Sequence, residues 1–70
     1  MIKLISLNKR EFYLNPELIE RIERMPETVI TLVNGKKILV KESPEEVAQK
    51  VMEYKKQAFS AKVHGVEVQR

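Results

Sequence analysis

Apolar and β-branched residues dominate two short runs, Thr28-Val29-Ile30-Thr31-Leu32-Val33 and Ile38-Leu39-Val40, with Asn34-Gly35-Lys36-Lys37 between them. This pattern predicts a β-hairpin. A two-residue type I′ turn needs positive φ at both central positions, and Asn followed by Gly tolerates that best. With Asn34-Gly35 as the whole loop, Val29 faces Val40, Thr31 faces Ile38 and Ile30 faces Leu39. Directly opposed residues share a face. One face then carries Val29, Thr31, Val33, Ile38 and Val40, and the other carries Ile30, Leu32 and Leu39. Both are apolar, whereas a hairpin with one solvated face alternates apolar and polar. A second cover is therefore expected, supplied either by the N-terminal strands or by a second copy of the chain.

The remaining pattern places elements around that hairpin. Ile2–Leu7 and Glu11–Leu14 alternate as two strands about a turn at Asn8-Lys9, where Lys9 suits positive φ poorly. Phe12 and Leu14 point inward. Asn15-Pro16-Glu17-Leu18 reads as one helical turn, with Asn15 as cap and Pro16 in the first position. Ile19–Arg24 has helical spacing as well, but it is short and lies beside a hairpin edge, so it is read as a strand. Pro26-Glu27 turns the chain into the central hairpin.

Ser43-Pro44-Glu45-Glu46 starts a helix: Ser43 caps, Pro44 takes the first position, and Glu46 completes an S-x-x-E capping box. Val47, Val51, Tyr54 and Ala58, widened by Ala48, form an apolar stripe that predicts a helix to about Phe59. Residues 1–60 form a single domain. Residues 61–70 are read as a C-terminal tail, either a frayed end or a short strand through Val66 and Val68. The expected fold class is α+β: a small, mostly antiparallel sheet of four or five strands with one C-terminal helix across it.

Seventy residues bury only about 60% of their unfolded surface, so stability is marginal. The absence of cysteine removes disulfides and thiolate metal sites and makes oligomerisation the expected support. No apolar run approaches the length of a membrane span, and Met1–Ile5 is too short for a signal sequence, so a cytoplasmic setting is expected. Thirteen basic residues against ten acidic ones give a net charge of +3, scattered in the manner of an ordinary solvated surface.

Catalytic chemistry is missing from the composition. There is no aspartate, His64 is the single histidine, and Gly35 and Gly65 are the only glycines. Ser43 is absorbed by capping. Glu20 and Glu23 fit a charged, exposed edge better than a catalytic carboxylate pair. His64 with Glu67 is a weak metal pair. No enzyme, no cofactor, no metal and no small-molecule substrate are expected.

Leu7-Asn8-Lys9-Arg10-Glu11-Phe12, Leu14–Glu23, Pro26–Lys37, Val40-Lys41-Glu42-Ser43 and Glu45-Glu46-Val47 together resemble the small flagellar FlbD family, also called SwrD. The resemblance covers about residues 1–57. That family usually carries Asn-Gly at the first turn, where Lys9 replaces the glycine. The resemblance implies a non-catalytic accessory protein of bacterial flagellar motility that raises motor output through the stator units. It acts by protein–protein contact in the cytoplasm or when recruited to the membrane-embedded motor. Its partners would be the motor or its cytoplasmic regulators, with a homo-oligomer also in view. The family supplies no established active residues. The candidate contact residues come from geometry alone: the tip Lys36 and Lys37, and the apolar face Val29, Ile38 and Val40. The rival is a nucleic-acid-binding regulatory module, because Asn15–Glu42 is also similar to the second half of LytTR-type DNA-binding domains. Lys9, Arg10, Lys36 and Lys37 would then meet phosphates, although no base-reading residues stand out.

Overall fold

The computed structural model describes the backbone of residues 1–69 and the side chains of residues 1–58. In chain order it contains β1 (Ile2–Ile5), β2 (Glu11–Leu14), a 3₁₀ turn (Pro16–Leu18), β3 (Ile19–Arg24), β4 (Thr28–Leu32), β5 (Lys37–Val40) and α1 (Pro44–Gln69). The class is α+β, and every strand pair is antiparallel. The ambiguous segment Ile19–Arg24 is a strand because β4 offers it an edge. The 3₁₀ turn before it is capped as its sequence predicts: Glu17 N donates to Asn15 Oδ1 at 3.0 Å.

The strands form two sheets, β1-β2 and β3-β4-β5, where a single sheet was expected. They meet at one corner. After β1 the chain bridges to β5 at Ser6 and Val40. There Lys41 N donates to Ile5 O at 2.8 Å and Leu7 N donates to Leu39 O at 3.3 Å. The first strand of the chain thus serves two partners. Ile2–Ile5 pairs with β2, and Ser6-Leu7 turns to β5. That bend wraps two sheets around one core.

Leu4, Ile30, Val40 and Val47 are fully buried, with Ile2, Leu14 and Leu32 beside them. Phe12, Ile19, Ile22, Ile38, Val51 and Tyr54 pack around this cluster. All five strands and the helix therefore contribute. Each such aliphatic side chain stabilises by roughly 1.5–3 kcal/mol when removed from water.

Both arms of the capping box are made. Glu46 N donates to Ser43 Oγ at 3.1 Å, and Ser43 N donates to Glu46 Oε1 at 2.9 Å. The helix is tied to both sheets: Arg24 of β3 reaches Glu45 at 2.9 Å, and Lys50 Nζ donates to the Lys3 carbonyl at 2.8 Å. Its packed stripe is narrower than expected. Val47, Val51 and Tyr54 face the core, whereas Ala48 and Ala58 are exposed. The helix also passes the expected end at Phe59 and continues to Gln69, in place of the frayed tail or short strand expected there. No proline follows Pro44, and Gly65 costs a helix only about 1 kcal/mol.

The central hairpin differs from the sequence reading by one residue. Thr28 pairs with Val40, Val29 with Leu39, Ile30 with Ile38 and Thr31 with Lys37. The loop is three residues, Val33-Asn34-Gly35, closed by Leu32 N to Lys36 O and Gly35 N to Leu32 O, both at 2.8 Å. Gly35 alone has positive φ, at 90°. This is a type I turn followed by a left-handed residue, the second common hairpin solution. A one-residue slip moves a strand's side chains to opposite faces. The core face is therefore Thr28, Ile30, Leu32, Ile38 and Val40, and the outer face is Val29, Thr31, Lys37 and Leu39.

The β1–β2 hairpin closes the same way. Ser6 N donates to Arg10 O and Lys9 N to Ser6 O, both at 2.9 Å. Lys9 holds the left-handed position with φ 68°. The first turn is thus both wider than two residues and strained at Lys9.

Candidate interaction surface

The expected contact residues separate under the observed register. Val40 is 1% exposed, and Ile38 packs against the core. Val29 lies on the opposite face, half-buried. The grouping of Val29, Ile38 and Val40 on one face is corrected, because it depended on a two-residue loop.

The outer face carries a different apolar row. Leu7 sits beside Leu39 across the β1–β5 corner, and Leu39 opposes Val29. Val29 in turn opposes Glu23 of β3. Directly opposed residues share a face, so Leu39 and Val29 form a row over two strands, with the turn residue Leu7 beside Leu39. Leu7 is 38% and Leu39 41% exposed. The sequence reading missed both as surface residues, since Leu39 was assigned with Ile30. The signal was present in Lys37: a charged residue opposite Thr31 belongs outside, which places Leu39 outside as well.

The next row is Lys37, Thr31 and Arg21. Thr31 is buried although it faces outward. Its hydroxyl accepts from Lys37 Nζ at 3.4 Å, so the long lysine stem lies over it. Lys36 stands at the tip. The Asn34 side chain accepts from Lys36 N at 3.0 Å, which holds the turn closed.

The Ser6–Val40 bridge is antiparallel, so the 7–9 turn heads back along β5 from its Val40 end. Arg10 pairs with Ser6 and stays level with that end, whereas Lys37 begins β5 at the other end and Lys36 precedes it in the tip. The register therefore does not gather Lys9, Arg10, Lys36 and Lys37 into one cluster. None of the four has a carboxylate in ion-pair range among the described residues. The other basic residues of the strands are differently placed: Lys3 pairs with Glu11, Arg21 with Glu23 and Arg24 with Glu45.

An open groove of about 430 Å³ lies between Leu7, the β3–β4 turn and the start of α1. Arg24, Glu27, Lys41 and Glu46 line it, but Arg24 is held by Glu45 and Glu46 by its capping role. Its charges do not converge on a point where a reacting atom could sit. Among the described residues no group of three potential metal ligands gathers. The His64 and Glu67 side chains lie outside the described residues. No described helix is long and apolar enough to cross a membrane.

The family model for FlbD, flagellar and swarming motility proteins, matches residues 1–59. No curated protein and no solved structure gives a match.

Proposed function

The chain belongs to the FlbD family of flagellar and swarming motility proteins, and from that membership we propose that it supports motor output by binding alone. In this reading it is a non-catalytic accessory protein. It works in the cytoplasm or recruited to the membrane-embedded motor, and it contacts a stator unit or a cytoplasmic regulator of the motor. The family match over residues 1–59 carries the motility role. The exposed Leu39 opposite Val29, with Lys37 in the adjoining outer row, supports the choice of surface. An exposed apolar row rimmed by charge is the usual composition of a protein contact.

The test is made in a flagellated host. Deletion of the gene is expected to leave flagellar number normal and to lower swimming speed. Restoring the gene as Lys36→Glu/Lys37→Glu is expected to recover less speed than the unchanged gene. Few or missing flagella after deletion would move the protein to assembly or gene regulation and overturn the proposal.

A second reading draws on Lys9, Arg10, Lys36 and Lys37, none of which has a carboxylate in ion-pair range among the described residues. If they bind phosphates, duplex DNA should bind with log K falling against log salt at a slope of about −3.6, four contacts' worth of counterion release. A slope near zero, or no binding, removes that reading.

A further inference from the structure

β3 is an edge strand. It pairs with β4 on one side, and among the described residues no backbone hydrogen bond takes up its other side. Natural proteins blunt such edges with charges, proline, a β-bulge or a covering element. The span Ile19–Arg24 is six residues long, has neither lysine nor proline, and carries a bulge between Ile19 and Arg21 and four charges of both signs, which repel a random strand but not one of matching pattern. Glu20, Arg21 and Arg24 are exposed along it. At its two ends stand Leu18, 43% exposed, and Met25, 66% exposed.

We propose that the free edge of β3 binds a second copy of this chain, β3 against β3 in antiparallel register about a two-fold axis at Ile22. The sequence of the edge is complementary to its own reverse. Under that axis Ile22 opposes Ile22 of the partner subunit. Arg21 opposes the partner's Glu23, Glu20 opposes the partner's Arg24, and Ile19 opposes the partner's Met25. Every charge meets its opposite, with Arg24 shared between the partner's Glu20 and its own Glu45 and Arg21 between the partner's Glu23 and its own Glu23, and every apolar residue meets an apolar one. A one-residue slip in either direction destroys the match, setting Arg21 against the partner's Ile22 or Arg24. Isologous pairing requires this kind of self-complementary patch. Directly opposed unlike charges favour pairing, and like charges oppose it.

Three structural features fit this geometry. Ile22 opposes Ile30 of β4, so the two-fold would continue one row of isoleucines across four strands on the core face. The exposed Leu18 and Met25 gain cover at the ends of the junction. The register shift between Ile19 and Arg21 leaves Glu20 out of the β4 ladder, free to meet an arginine from outside. The result is a six-stranded sheet made of two β3-β4-β5 units.

Sedimentation velocity of the full chain, run up to about 500 μM, tests the inference; apparent dimerisation should rise with concentration. Arg21→Glu sets glutamate against the partner's Glu23 twice per dimer and should weaken association by about tenfold or more. The exchange Arg21→Glu/Glu23→Arg restores both pairs and should return the dissociation constant to within about threefold of the original. These side chains are solvent-facing, and far-UV circular dichroism checks that each variant folds. A second measurement uses the absence of native cysteine. Ile22→Cys places two thiols at the axis, about 4.5–5.5 Å apart at Cα, within disulfide reach. Under mild oxidation it should form a covalent dimer much faster than Lys36→Cys. A monomer at every concentration, an association untouched by Arg21→Glu, or equal cross-linking of the two cysteine variants would each overturn the proposal.

Discussion

Lys9 and Gly35 occupy the same left-handed position in two turns of the same geometry, with φ 68° and 90°. A side chain there costs roughly 1–2 kcal/mol of backbone energy, partly offset by glycine's greater freedom in the unfolded chain. Lys9→Gly is therefore expected to stabilise the protein by about 0.5–1 kcal/mol. Gly35→Ala should destabilise it by about 1 kcal/mol. Nothing lies within 4 Å of a Cβ built at Gly35, so that cost is backbone strain rather than collision. Urea titration of both variants checks the signs. The two changes should shift the midpoint in opposite directions without altering its slope.

At the scale of elements, Ile30 shows how little slack the core has. It is fully buried between β3 and β5. Ile30→Val should cost about 1 kcal/mol in urea or thermal denaturation. Ser43→Ala should cost a similar amount, about 1 kcal/mol, because Glu46 N loses its acceptor at the start of α1. The capping box and the Asn15 turn were legible because each is set by local chemistry, and the strand Ile19–Arg24, helical in its own spacing, because a hairpin edge lies beside it. The register of the central hairpin was not. Asn34-Gly35 permits both a two-residue and a three-residue loop, and the choice is made by burial. Three residues turn Ile38 and Val40 inward with Ile30, and leave Lys37 in water. The corner at Ser6 was equally hidden, since nothing local to Ser6-Leu7 says that β5 will pair with it. The candidate surface inherited the register error, which is why Leu39 and Leu7 emerged only from the fold.

In the whole molecule the two sheets are held to each other at few polar points: the Ser6–Val40 corner and the Glu42 carboxylate, which accepts from Ile5 N at 3.1 Å; α1 adds the Arg24–Glu45 pair to β3 and the Lys50–Lys3 contact to β1. Exposed ion pairs contribute little, typically under about 1 kcal/mol. The shared hydrophobic core carries the rest. This predicts uneven stability. In native-state hydrogen exchange the amides of Leu7 and Lys41, which form the corner, should exchange together with the β1–β2 hairpin. The amide of Ile30 should exchange more slowly, with global unfolding. Equal protection at all these sites would show that the sheets open as one unit.

The three-residue loop at Val33-Asn34-Gly35 carries a consequence for how this chain can change. Its composition is loosely constrained, since Leu7-Asn8-Lys9 makes the same turn with a different third residue. Its turn type is not. Were Asn34-Gly35 to close as a two-residue turn in the unaltered chain, Val33 would pair with Lys36, β5 would slip by one position, and Leu39 would turn into the interior and Val40 out of it. Deleting Val33 removes that alternative without a slip, because Leu32 and Lys36 already face each other across the loop. The exposed tip should therefore tolerate the loss of Val33, whereas a deletion inside Lys37–Val40 would turn every side chain beyond it to the other face.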